Sequence, residues 1–140
     1  MLTLKQIILA INEIILAKFP TIEIQSTDVK EGFKRPSFFV QLDNIDSDTG
    51  LYFSKRSMTT RIHYFPSNRH NYSLELMDIQ DDLESIFNLN FGVDNRVITI
   101  QETRAQTIDG VLEFEFDFGF VESKEIADEG VTMEELEYNG

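Results

Sequence analysis

Residues 96–122 limit what this chain can fold into more than any other stretch, because they read as one hairpin with one apolar face. Asp109-Gly110 lies between two β-prone runs. Asp-Gly in that place predicts a type I′ turn, which needs positive φ at both central residues. Upstream, Val97-Ile98-Thr99-Ile100 begins a strand that continues in polar form to Ile108. Downstream, Leu112, Phe114, Phe116, Phe118 and Phe120 alternate with Glu113, Glu115, Asp117 and Gly119. Successive side chains of a strand point to opposite faces, so this alternation predicts a half-buried strand with a phenylalanine core face. The remaining elements must cover that face.

The N-terminal segment supplies one cover. Thr3 with Gln6 three positions on forms a capping-box pattern, and Leu4, Ile7, Ile8, Ile11, Ile14 and Ile15 recur at helical spacing up to Phe19-Pro20. A short strand is expected at 21–26, with Ile22 and Ile24 on one face, then a polar turn and a strand over 37–43. Residues 44–50 read as a loop by composition, and the chain extends again from Leu51 to Pro66, with Met58, Thr60, Ile62 and Tyr64 on one face. Asn71 or Ser73 is expected to cap a second helix whose apolar stripe is Leu74, Met77, Leu83, Ile86 and Phe87; residues 88–95 connect it to the hairpin. The order α-β-β-β-α-β-β predicts an α+β fold in two layers, an antiparallel or mixed β-sheet with two amphipathic helices on one face. The domain covers 1–122. Residues 123–140 form an acidic extension, either a helical turn or two from Val131 with Thr132 as cap, or a tail ordered by a partner.

Charge and composition remove several classes of function. The net charge is −13, and residues 121–140 hold seven carboxylates against one lysine, a net −6 that leaves −7 for residues 1–120. Non-specific nucleic-acid binding draws its free energy from Lys and Arg on phosphates, so this balance argues against it. The chain has no cysteine, which excludes disulfides, cysteine zinc sites and thiol catalysis. Lys5, Asn12 and Glu13 interrupt the opening apolar run and no A-x-A site follows, which argues against a signal peptide. No apolar run approaches the roughly 20 residues of a membrane span.

No constellation carries enzyme chemistry or implies a cofactor. Asp43, Asp46 and Asp48 resemble a calcium loop, but from Asn44 the sixth and twelfth positions are Thr49 and Lys55 rather than Gly and Glu. His63 and His70 lack metal-ligand spacing, and there is no G-x-S-x-G elbow or phosphate loop. Glu113, Glu115 and Asp117 form a carboxylate row on the outer face of their strand. Like charges at that spacing repel, so neighbouring strands or another subunit should supply Arg or Lys, or the row should meet water. The basic residues gather at Lys30, Lys34 and Arg35, and at Lys55, Arg56 and Arg61. Such patches on an acidic body fit complementary subunit contacts or, equally, scattered solubilising charge.

Three segments together carry a resemblance: Glu31-Gly-Phe-Lys-Arg-Pro-Ser-Phe-Phe-Val40, Arg56-Ser-Met-Thr-Thr-Arg-Ile-His-Tyr-Phe-Pro66 and Ile108-Asp-Gly-Val-Leu-Glu-Phe-Glu-Phe-Asp-Phe118. With the isoleucine-rich first helix, they resemble the tail terminator, or tail completion, proteins of phages and prophages of Gram-positive bacteria. The resemblance covers residues 1–122. It implies a structural virion protein, with no catalytic residues, that assembles with copies of itself as a ring, usually a hexamer. The ring would sit on the head-proximal end of the tail tube after assembly in the host cytoplasm, stop tube polymerisation and meet the head-tail connector protein while DNA passes through its lumen. In that setting the interface candidates are Lys30, Lys34, Arg35, Asp46, Asp48, Lys55 and Arg56, and Glu113, Glu115 and Asp117 would face the lumen. A small cytoplasmic binding module that recruits a basic partner through its acidic tail is the alternative.

Overall fold

The 109–110 turn forms as the sequence requires. In the computed structural model, which describes residues 2–25, 35–68 and 70–123, Asp109 and Gly110 have φ of 53° and 76°. They join β5 (Arg96–Ile108) to β6 (Val111–Ser123) in antiparallel register, Ile108 opposite Val111. The other elements are α1 (Leu4–Lys18), β1 (Glu23–Gln25), β2 (Ser37–Thr49), β3 (Phe53–Phe65), α2 (Ser73–Ile86) and β4 (Asn90–Val93). The strands make one curled, mixed sheet in the order β1-β2-β3-β6-β5-β4. Only β1 and β2 run parallel, and β6 lies at the centre between β3 and β5. No helix among the described residues is long and apolar enough to cross a membrane.

Burial follows the strand alternation. Leu112, Phe114, Phe116, Phe118 and Phe120 are all buried, and so are Met58, Ile62 and Tyr64 beside them on β3. One core cluster joins these to Ile7, Ile11 and Ile15 of α1 and to Leu76, Ile79 and Leu83 of α2. Aromatic rings run through it. Phe116 stacks on Phe87 at 4.8 Å, and Phe91 meets Phe116 and Phe118 edge-on at 5.8 and 5.1 Å. Edge-to-face and offset pairs of this kind add to plain burial because the ring edge is positive and the face negative. The α1 capping box is present, with Gln6 N donating to Thr3 Oγ1 at 3.1 Å and Thr3 N donating back to Gln6 Oε1 at 2.9 Å.

Four expectations need correction. Residues 44–49 are strand, not loop: β2 runs on to Thr49 through a register shift between Asp43 and Asp46, where Asn44 takes a φ of 53°. The composition misleads there because both faces of that segment meet solvent, so nothing demands apolar alternation. The second helix has neither Asn71 nor Ser73 as its cap; Tyr72 holds that position without a side-chain bond. Its buried stripe is Leu76, Ile79, Leu83 and Phe87, while Leu74 and Met77 are exposed. Both sets have helical spacing, and only docking chooses between them. Finally, residues 88–95 contain β4, which pairs with the start of β5 and turns through Asp94 at φ 59°. The order is thus α-β-β-β-α-β-β-β.

Glu75, in the first turn of α2, ties that helix to the sheet. Its carboxylate accepts from the Tyr64 hydroxyl at 2.5 Å, from Ser67 N at 2.9 Å and from Ser67 Oγ at 2.8 Å. Burial opposes ionisation of Glu75, but these three donors outweigh it and hold the carboxyl below its usual range. Burial and then the bond to Glu75 push the Tyr64 hydroxyl up.

Candidate functional site

The outer face of the sheet is built by register. Thr59, Arg61 and His63 of β3 stand opposite Asp117, Glu115 and Glu113 of β6. On the other side of β6, Glu102, Arg104 and Gln106 of β5 stand opposite Asp117, Glu115 and Glu113. The carboxylate row therefore lies between two strands that each bring one arginine to it. Arg61 Nε donates to Glu115 Oε2 at 2.7 Å, and its Nη1 bonds Asp43. Arg104 Nε donates to Glu115 Oε1 at 3.0 Å, while its Nη1 and Nη2 reach Asp117 at 2.9 and 3.1 Å. Thr59 Oγ1 adds a bond to Asp117 Oδ1 at 2.7 Å.

Of the three expected ways to relieve the row (cations from neighbouring strands, cations from another subunit, or water), neighbouring strands supply arginines to Glu115 and Asp117. The bonds from Arg104 dominate, over the opposing effect of burial, in holding the Asp117 carboxyl below its usual range, and Thr59 assists. The ladder still carries more acid than base. Asp43, Glu102, Glu113, Glu115 and Asp117 face Arg61 and Arg104. A shallow cavity of about 190 Å³ opens on it, lined by Arg104, Ala105, Gln106, Glu113 and Glu115. Chemically the face is a fixed, hydrogen-bonded negative field. Among the described residues, no group of three or more His, Cys, Asp or Glu is placed so that it could hold a metal ion.

The interface candidates separate into two places. Asp46 stands opposite Ser57, Asp48 opposite Lys55, and Arg56 opposite Ser47, so four of them share the far end of the β2–β3 hairpin. Asp48 and Lys55 are exposed there, whereas Arg56 is half-buried and its Nε has no hydrogen-bond partner. Arg35 is at the opposite end of β2, where its Nη1 donates to the Pro66 carbonyl at 3.1 Å and its guanidinium lies 6.0 Å from the Phe65 ring. Most of β2 separates the two places, a contour of at most about 36 Å from Arg35 to Asp46 at roughly 3.3 Å per residue. Lys30 and Lys34 lie outside the described residues.

Two features escaped the sequence reading. Arg104 completes the ladder, although its position in the polar half of β5 gave it no special standing. The hairpin also ends in Leu51-Tyr52-Phe53, all exposed, on a tight turn closed by Gly50 N donating to the Phe53 carbonyl at 2.8 Å. Three consecutive apolar residues directly after a polar stretch were the available signal.

Residues 6–130 match the family described as phage tail terminator protein. No curated protein matches the chain.

Proposed function

The chain belongs to the phage tail terminator family, and from that membership we propose that it caps the head-proximal end of the tail tube as a closed ring of six copies. Membership assigns a structural role in the phage tail, in association with other tail components. In our reading residues 1–122 are the assembling domain, a two-layer subunit in which both helices cover the phenylalanine face, and residues 123–140 are a separate acidic extension. The ring halts tube polymerisation and offers its free side to the head-tail connector. The reaction is association alone: no bond is made or broken, and no residue needs a catalytic role.

The family match over most of the chain is the observation that carries this reading. Two structural features support it. Candidate contact residues lie at opposite ends of β2, so one protomer could reach different neighbours at once. The outer ladder keeps surplus acid, and a lumen lined by Glu113, Glu115 and Asp117 would repel DNA phosphates and let the duplex pass without sticking. The arginines fix Glu115 and Asp117 without cancelling the row's negative charge.

The test is to mix the protein with the tube-forming protein encoded beside it and image the products by negative-stain electron microscopy. Tubes of limited length with a ring at one end are the expected result; tubes of unchanged length with bare ends would refute the cap. Lys34→Glu is a better interface probe than Arg35→Glu, because Arg35 is already engaged within its own chain. Assembly at the normal level with Lys34→Glu would remove that patch from the interface.

A further inference from the structure

Among the described residues, the hairpin tip and the outward side of α1 are two exposed apolar features with complementary surroundings. At the tip, Leu51, Tyr52 and Phe53 are 76%, 55% and 58% exposed, and Lys55 follows within two residues. Along α1, Leu9 and Leu16 are exposed, and Leu9 lies between two adjoining hollows. One, of about 350 Å³, is lined by Leu9, Asn12, Glu13, Leu16, Ile24 and Gln25. The other, of about 210 Å³, shares Leu9 and Glu13 and ends at Asp94. Together they make a trough with an apolar floor and acidic rim.

We infer that the Leu51-Tyr52-Phe53 tip of one protomer seats in the α1 trough of the next copy of the same chain. This rests on the ring reading and names the contact that would build the ring. Two observations select a second copy as occupant. An apolar tip meets an apolar floor that would otherwise both stay in water. Lys55 behind the tip meets Glu13 and Asp94 on the rim, which fixes orientation through charge. Tip and trough are different surfaces, so seating each tip in the next trough makes a head-to-tail contact that forms a ring where the rotation closes, whereas reciprocal seating would stop at a two-fold dimer. Three side chains bury too little area to be a whole interface; they are its anchor, as buried aromatic residues commonly are.

Because the chain has no cysteine, introduced thiols report the contact without background. Full-length Tyr52→Cys and Leu9→Cys proteins are oxidised separately, mixed, and combined in one double variant, each with and without tubes. The single variants are expected to stay uncrosslinked, their mixture to stop at a dimer, and the double variant to give a ladder ending at the ring's copy number. In the cysteine-free background, Leu51→Asp should weaken self-association roughly thirtyfold, the effect of losing one anchor. Lys55→Glu should weaken it less, and Glu13→Lys should recover part of that loss. Tyr52→Cys crosslinking to itself, or to the tube protein in place of Leu9→Cys, would overturn the inference. So would an uncrosslinked mixture while the wild-type chain still caps tubes, and in that case the ring reading would stand. Bare, unlimited tubes with the wild-type chain would remove the ring reading itself.

Discussion

The same two strands, β2 and β3, behave differently along their length. From Phe38 to Asp43 against Thr59 to Tyr64, one face is core and the other is an ion-paired ladder. From Asp46 to Thr49 against Ser54 to Ser57, the backbone pairing continues but most side chains meet solvent. The first region is held by burial on one side and by directed charge on the other. The second is held mainly by its backbone ladder and exposes apolar residues at its end. The first region satisfies its own side chains, whereas the second leaves Leu51, Tyr52 and Phe53 in water, the feature on which the proposed contact rests.

The largest way to sharpen that contrast is to open the body. Phe116 is fully buried and stacks on Phe87, so Phe116→Ala should cost about 3–5 kcal/mol in a urea titration of the monomer. A loss below about 1 kcal/mol would mean the aromatic seam is not the stabilising centre. Next comes the ladder. Arg61→Met removes the bonds to Glu115 and Asp43, and about 1–2 kcal/mol is expected, because the pair is partly exposed and Glu115 keeps Arg104. Arg104→Met should cost less, as Arg104 is the more exposed arginine. The reverse order would show that the β5 side of the ladder holds the sheet.

Acid should weaken the body more gradually. Glu75 and Asp117 both have folded-state pKa values below their unfolded ones. Their contribution is therefore complete above the unfolded values of about 4 and is lost as the pH falls through the folded values. Thermal melts from pH 7 downward should show a plateau and then a decline, and Glu75→Gln should make that decline shallower. An unchanged acid limb in Glu75→Gln would show that the Tyr64–Ser67 cluster does not contribute. The smallest effect belongs to the arm. Tyr52→Ser should leave monomer stability within about 0.5 kcal/mol while reducing self-association. A large loss of monomer stability would place the tip in the folding core after all.

Much of the body was legible because local chemistry and tertiary environment agree there. Asp109-Gly110 announced the turn, and five alternating apolar residues announced the face that became the core. The Thr3–Gln6 cap and the isoleucine stripe likewise point to one helix in one orientation. The second helix was less readable. Leu74 and Met77 compete with Leu76 and Ile79 for the buried side, and propensity is blind to which of them joins the core. The candidate site was half legible: alternation placed the acidic row outward, but its partner Arg104 depends on a cross-strand register that no local pattern encodes.

By itself the sequence determined the hairpin, its inward phenylalanines and its outward acids, because turn chemistry and a two-residue period act between near neighbours. Only the tertiary structure decided that 44–49 pairs as strand, that β4 closes the sheet edge, and that two arginines from different strands bracket Glu115. Those features depend on backbone pairing and burial between residues far apart in the chain. Polar composition reads as loop until a partner strand takes up its hydrogen bonds.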